Sequence, residues 1–112
     1  MTQEEKVKFR RSAPWSRLRQ KLRLRFHKKD FITGKDLTRT WNLHHLDMND
    51  KNYTDLSNES KFIPLNKDTH KFIHWLFRLY RHDKSVLVRV KVVLDQMLLY
   101  NPPRRRHEAY DD

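Results

Sequence analysis

The sequence contains no cysteine. That removes the disulfide and the thiolate zinc knot, two cross-links on which small domains often rest. Apolar side chains are also scarce, with 37% of the 112 residues hydrophobic and 35% charged. The expectation is one small core, helped by a metal ion held through other ligands or by a partner. Glycine occurs once, at Gly34, which excludes the glycine-rich loops that cradle nucleotide phosphates. No apolar run approaches the roughly 18 residues of a membrane span. The N-terminus also lacks the hydrophobic stretch of a secretory leader. A cytoplasmic protein with no membrane partner is the expectation.

The charge points to a partner. The net charge of +11 at pH 7 favours a polyanion, either nucleic acid or an anionic membrane surface. The aromatic residues do not line up as a membrane-binding face, so DNA is the expected partner. From Lys6 to Lys29 there are eleven Lys or Arg residues and no acid. Such a run repels itself unless an anion balances it. Arg17, Arg19, Lys21, Arg23, Arg25, Lys28 and Lys29, with Lys67 and Lys71 farther on, are the expected contacts to DNA phosphates. Contacts of this kind hold the backbone whatever the base sequence.

Periodicity predicts an α+β fold. Met1 to Glu5 is expected to fray. Pro14 suits the first turn of a helix. Trp15, Leu18, Leu22 and Phe26 follow at helical spacing, which predicts a basic helix from about Pro14 to His27. Lys29 to Leu37 reads as a short strand and a turn, with Gly34 able to take a positive φ. Thr38 to Leu46 then runs back as a second strand, with Trp41 and Leu43 on one face and Asn42 and His44 on the other. Met48 to Ser60, rich in Asn, Asp and Ser, is a loop pinned by Tyr53 and Leu56.

Phe62, Ile63 and Leu65 lead into a helix from about Lys67 to His82, capped by Asn66 or Asp68. Pro64 keeps Ile63 out of helical backbone. Phe72, Ile73, Leu76, Phe77 and Tyr80 form a stripe expected in the core. A break at His82-Asp83-Lys84 follows, with Ser85 as a cap. The last helix, about Val86 to Tyr100, shows Val86, Val90, Val93, Leu94, Met97 and Leu98 as its core face. Pro102-Pro103 ends it, ahead of a basic tail at Arg104 to Arg106. The expected organisation is a single domain over 1–112, with a ββα core at about 29–82, a basic helix before it and a packing helix at about 86–100 after it.

With cysteine absent, histidine is the usual side-chain ligand left for a borderline divalent metal. Four of the seven histidines lie between Trp41 and His74. His70 and His74, four apart at a helix start, share a face. His44 and His45, adjacent on a strand, point to opposite faces. Such a strand and helix can hold one divalent ion through His44, His70 and His74, leaving positions open for phosphate and water. His45 then turns toward the substrate water, with Asp47 or a backbone carbonyl orienting its other ring nitrogen. This suits phosphodiester hydrolysis, in which a neutral imidazole takes a proton from water and a metal stabilises charge on the phosphoryl and 3′-leaving oxygens. His27, His82 and His107 fit no site and are expected to be solvated.

These residues also carry a family likeness. Thr33-Gly34-Lys35, Trp41-Asn42-Leu43-His44-His45, Phe62-Ile63-Pro64-Leu65, and His70 with His74 form its frame, with Trp15-Ser16-Arg17-Leu18-Arg19 as lead-in. Together, over roughly residues 12 to 82, they resemble an HNH endonuclease of the ββα-metal, or His-Me finger, superfamily. The resemblance implies a DNA-cutting or nicking enzyme with His45 as general base. It implies His44, His70 and His74 as ligands of one divalent ion (Mg, Mn, Ni or Zn). It also implies a phage, mobile-element or restriction setting, hence a host cytoplasm and partners in a phage DNA-processing complex.

Many members of that family hold their fold with zinc on two CxxC pairs. Here the corresponding positions fall around Phe31 to Gly34 and at Asn66 and Thr69. Packing by Trp15, Phe31, Trp41, Phe62 and the last helix is the expected replacement. The asparagine that names the motif falls, by spacing, on Lys61, with Asn58 and Asn66 nearby. Lys61 can contact phosphate, and Asn58 can brace the loop and the base.

Two other classes stand beside the endonuclease. One is a DNA-binding module of this fold with weak or no cleavage. The other is an accessory factor in a phage DNA-processing or packaging complex, which an exposed apolar face on the last helix would favour. A ribonuclease is a further enzyme alternative, since attack by a metal-bound water does not need a 2′-hydroxyl.

Overall fold

The second helix organises the first half of the chain. In the computed structural model, which describes residues 2–47 and 56–103, helix α2 spans Ala13–Arg25 with Pro14 in its first turn. Trp15, Leu18 and Leu22 are its buried residues, and their spacing of three and four places them on one stripe. Trp41, Leu43 and Phe62 close over that stripe to form the core, with Phe9, Phe26, Leu37 and Leu56 against it. The Trp15 ring meets Phe9 at 5.7 Å and Phe62 at 6.0 Å between centroids, in the tilted and edge-on arrangements that ring quadrupoles favour.

The chain start differs from expectation. Residues expected to fray form helix α1, Gln3–Arg10. Thr2 and Glu5 make a reciprocal capping box, in which the Glu5 N–H donates to Thr2 Oγ1 at 3.1 Å and the Thr2 N–H to Glu5 Oε1 at 3.4 Å. Two otherwise orphaned donors are thereby satisfied. Met1 lies outside the described residues.

Helix α2 stops two residues before the predicted His27, because His27 and Lys28 both take left-handed backbone, with φ of 58° and 61°. The Lys28 N–H reaches the Arg23 carbonyl at 2.8 Å and the His27 N–H the Leu24 carbonyl at 3.0 Å, the paired bonds of a Schellman motif.

The sheet also departs from the predicted hairpin. Strand β1, Asn42–His45, lies within the expected segment, but its partner is strand β2, Phe62–Leu65. They run antiparallel, with Asn42 opposite Leu65, Leu43 opposite Pro64, His44 opposite Ile63 and His45 opposite Phe62. The segment expected as the first strand is turned instead, with an isolated bridge between Lys29 and Asp36 and Gly34 at φ 70°. Asp30 bends it. Its Oδ1 accepts the Ile32 and Thr33 N–H groups, both at 2.8 Å, and a side chain that captures the next backbone donors competes with strand formation.

The same carboxylate does more than shape a turn. Asp30 is 1% exposed. Its Oδ2 accepts the Asn66 N–H at 2.8 Å, and it also bonds the Thr69 side chain. It therefore ties residues 30–34 to the start of helix α3, Lys67–Tyr80. These are the two segments where the family pattern would place a zinc knot. The Asn66 side chain adds a second tie, accepting the Thr38 N–H at 2.7 Å and donating to the Asp36 carbonyl at 3.0 Å. Packing was expected to replace the knot. Trp15, Trp41 and Phe62 do pack, but Phe31 is 56% exposed, its ring resting on Phe26 at 5.8 Å. Hydrogen bonds to a buried charge join these two segments.

The chain divides into two units, Met1–Ile73 and His74–Asp112, with the boundary inside α3. In the second unit, α4 spans Ser85–Tyr100. Its first turn is held by Asp83, which accepts the Ser85 N–H at 3.0 Å and Arg89 Nη2 at 2.7 Å. Hydrogen bonds from the Ser85 side chain and then Arg89 push the Asp83 carboxyl down to about 2. Neither α3 nor α4 contains a fully buried residue. Of the stripes expected in the core, Phe72, Phe77, Val93, Leu94, Met97 and Leu98 are exposed, while Ile73, Leu76, Tyr80, Val86 and Val90 are half-buried. Tyr53 and Arg104 to Arg106 lie outside the described residues.

Two stability outcomes follow. Burial raises the Asp30 carboxyl, but hydrogen bonds from Thr33, Asn66, Thr69 and Ile32 outweigh it and hold the group below its ordinary value. A depressed carboxylate stabilises the fold above the unfolded value, near 3.9, and that contribution fades as pH falls through the folded value. Asp30→Asn is expected to cost about 3 kcal/mol at pH 7 and to flatten the acid limb of stability below about pH 4, as measured by thermal unfolding against pH. His27→Gly is expected to gain about 0.5–1 kcal/mol, since glycine takes left-handed backbone without a Cβ penalty.

Candidate metal centre

Strand alternation separates the two adjacent histidines. His44 is buried and its ring lies edge-on to His70, with centroids 5.1 Å apart. His45 takes the other face, where its ring meets Phe62 at 5.1 Å and Trp15 at 5.6 Å. The division of the pair read from strand geometry is therefore present, and His45 is half-buried beside the core rings.

Helix α3 carries His70 and His74 one turn apart on one continuous helix. The His70 N–H closes on the Asn66 carbonyl at 2.9 Å. One ring nitrogen from each of His44, His70 and His74 can be chosen so that all lie within 4.8 Å of one another. Three imidazoles on a tetrahedral ion stand roughly 3.4 Å apart at ordinary Zn–N lengths. Closing this triad around an ion thus takes a movement of about 1 Å or so, within the reach of side-chain rotation. The donor set is chemically apt, since neutral nitrogen ligands suit Zn, Ni, Cu and Fe. The three histidines can hold a divalent ion.

The flanking positions are occupied as follows. Lys61 ends a short 3₁₀ turn, Glu59–Lys61, ahead of β2. Its carbonyl accepts the Leu46 N–H at 2.7 Å, extending the ladder one step beyond the His45–Phe62 pair. Its ammonium lies 3.3 Å from Asp47 Oδ2, so the carboxylate expected to orient His45 pairs with Lys61. Asn58 caps the turn, its side-chain oxygen accepting the Ser60 N–H at 3.3 Å.

The basic residues divide into two sets. Arg19 turns inward, stacking 4.2 Å over the Trp41 ring and donating to the Trp41 carbonyl at 3.2 Å. Burial lowers its guanidinium from the ordinary value. Lys21 and Arg25 both pair with Glu59 at 2.6 Å. The hydrogen bonds from Lys21 and Arg25 hold Glu59 below the usual carboxylate range. Lys29 pairs with Asp36. Arg17, Arg23, Lys28, Lys67 and Lys71 form no ion pair with a described residue. His27 and His82 are exposed, as expected for solvated groups, and His107 lies outside the described residues.

Sequence reasoning missed Asp30, which sets where α3 begins, and Glu59, which partners two of the expected phosphate contacts. Asp30 left a signal, an aspartate three residues before Thr33-Gly34, the arrangement of a side-chain-closed turn. The chain matches no protein-family model, no curated protein and no solved structure.

Removing one imidazole should weaken metal binding far more than removing a distant one. His70→Ala and His74→Ala are each expected to reduce Zn²⁺ or Ni²⁺ affinity by at least about tenfold in calorimetric titration, and His82→Ala to leave it unchanged. In the parent, metal at 100 times its dissociation constant should raise stability by about 2.7 kcal/mol. An equal affinity in all three variants would remove the triad from consideration.

Proposed function

We propose that the chain is a metal-dependent DNA endonuclease of the HNH type, with His44, His70 and His74 holding one divalent ion. The observation that carries this reading is the convergence of three imidazole nitrogens where an antiparallel strand pair meets a helix. A bound divalent ion supplies charge neutralisation at the phosphoryl and leaving oxygens.

The chain's own residues supply the rest. His45 accepts a proton from water as the water oxygen bonds to phosphorus. The P–O3′ bond breaks, and the 3′-oxygen leaves with the electron pair. The edge-on contacts with Trp15 and Phe62 favour this role by fixing the imidazole plane, which limits the orientational entropy lost at the moment of proton transfer. Lys61 neutralises a flanking phosphate, and Asn58 braces the turn that carries it. Arg17, Arg23, Lys28, Lys67 and Lys71 grip the DNA backbone through its phosphates, without reading bases. Lys21, Arg25 and Lys29 join them by exchanging carboxylate partners for phosphate.

Two observations favour lesser or different roles. A lysine stands at the usual asparagine position, which favours a weakly active or inactive DNA-binding module. The exposed apolar α4 favours work inside a larger phage DNA-processing complex, a role compatible with cleavage.

Supercoiled plasmid, incubated with Mg²⁺, Mn²⁺, Ni²⁺ or Zn²⁺, separates these readings. The parent is expected to convert it to nicked or linear DNA, and His45→Ala to slow that by about 10²-fold or more, the usual weight of a general base. Undiminished cutting by the variant would reject His45 as the base. Retention of DNA without cutting in any metal would leave the binding module.

A further inference from the structure

Two cations of α2 share one carboxylate that comes from far along the chain. Lys21 and Arg25, four apart, lie on the same face of the helix. Lys21 Nζ closes on Glu59 Oε1 and Arg25 Nη2 on Glu59 Oε2, both at 2.6 Å. Glu59 stands 34 residues beyond Arg25, and its backbone is anchored. The Phe62 N–H donates to the Glu59 carbonyl, and Phe62 is buried in the core. The Leu46 N–H ties the Lys61 carbonyl at 2.7 Å. A turn joined to the sheet thus delivers the carboxylate to the two cations. The Lys29–Asp36 pair differs, since its partners are only seven residues apart.

A carboxylate held in this way stands where a phosphodiester could. Both anions carry one negative charge spread over two terminal oxygens, and both accept charge-assisted hydrogen bonds from Lys and Arg. With one cation on each oxygen, Lys21 and Arg25 form a place that suits either anion, and the two cannot share it. The place is open to solvent, since Lys21 and Arg25 are about half exposed and Glu59 about a quarter. Ion pairs so exposed are weak and screened by salt, so a polyanion can displace the carboxylate. Each phosphate contact made there nevertheless breaks a pair already formed, and it leaves the Glu59 charge beside the DNA.

We infer that Glu59 is an internal competitor for DNA phosphate. It occupies the site that Lys21 and Arg25 offer to a backbone phosphodiester, and so holds the affinity for duplex DNA below what these two cations would otherwise give. The inference rests on the DNA-binding part of the proposed function and is independent of the metal and of cleavage.

Binding of the full chain to a fluorescently labelled duplex of roughly 20 base pairs is measured by anisotropy from about 50 to 200 mM salt, without added divalent metal. Glu59→Gln keeps the shape of the side chain and removes its charge. It is expected to tighten binding about tenfold at about 100 mM salt. It is also expected to steepen the fall of log K with log salt by about one to two, since each added phosphate contact contributes roughly 0.9. Glu59→Ala is expected to act alike, with far-UV circular dichroism unchanged in both. Glu4→Gln, at an exposed position on α1, makes the same change in net charge and is expected to tighten binding less than about twofold. In a chain carrying Lys21→Gln and Arg25→Gln, Glu59→Gln is expected to gain no more than Glu4→Gln does. A gain from removing the Glu59 charge no larger than that from Glu4→Gln overturns the inference. So does an equal gain with both cations removed, or the absence of DNA binding in every variant. The plasmid assay keeps the two readings apart. Tightened binding in a chain that never cuts would reject the endonuclease and retain the competitor, and cutting with no such gain would do the reverse.

Discussion

A buried carboxylate is costly unless its charge is met by well-placed donors, because leaving water removes several kcal/mol of hydration. Asp30 meets that condition with both oxygens. One takes two donors from its own turn and the other the Asn66 N–H, one residue ahead of α3. The bond to Asn66 spans 36 residues and joins a loop to the start of a helix, so it fixes tertiary structure. It also falls on a helix N-terminus, where the backbone dipole favours negative charge. His70 comes four residues after Asn66, which Asp30 holds, and β1 brings His44 against it. The start of the helix that carries His70 is thus tied to one acidic side chain.

The basic run of the first thirty residues has two functions that its composition does not separate. Arg19 is half-buried against the core, its plane on Trp41 and its N–H on a carbonyl. Lys21 and Arg25 bracket Glu59, pinning the 3₁₀ turn ahead of β2 to the outer side of α2. The field that remains comes from the other cations. A helix can therefore be strongly basic in sequence and still use several of its charges for architecture, where an exposed pair contributes only modestly and a buried cation–π contact more.

What was legible in the sequence was local. Trp15, Leu18 and Leu22 announced a buried helical stripe by spacing alone. His70 with His74 on a helix and His44 with His45 on a strand announced their relative directions, since both periodicities are set by backbone geometry. Pairing was less legible. Residues 42–45 read as a strand, but their partner lies beyond a long connection, and a nearer segment looked equally strand-like until Asp30 turned it. The role of Asp30 was hidden for a similar reason, because Asn66 is 36 residues away and no local pattern joins them. The α4 stripe was read as apolar, which it is. Periodicity says that such a face must be covered, not which molecule covers it.

Holding the loop to α3 with a carboxylate instead of a zinc knot has a consequence for metal supply. In a chain whose fold and chemistry both need metal, a chelator unfolds the protein as it disarms it, and folding must wait for an ion. Here the staple is made of atoms the chain always has. The link between residues 30–34 and the start of α3 is therefore made without any ion, and what the triad holds is a separate matter from what joins these segments.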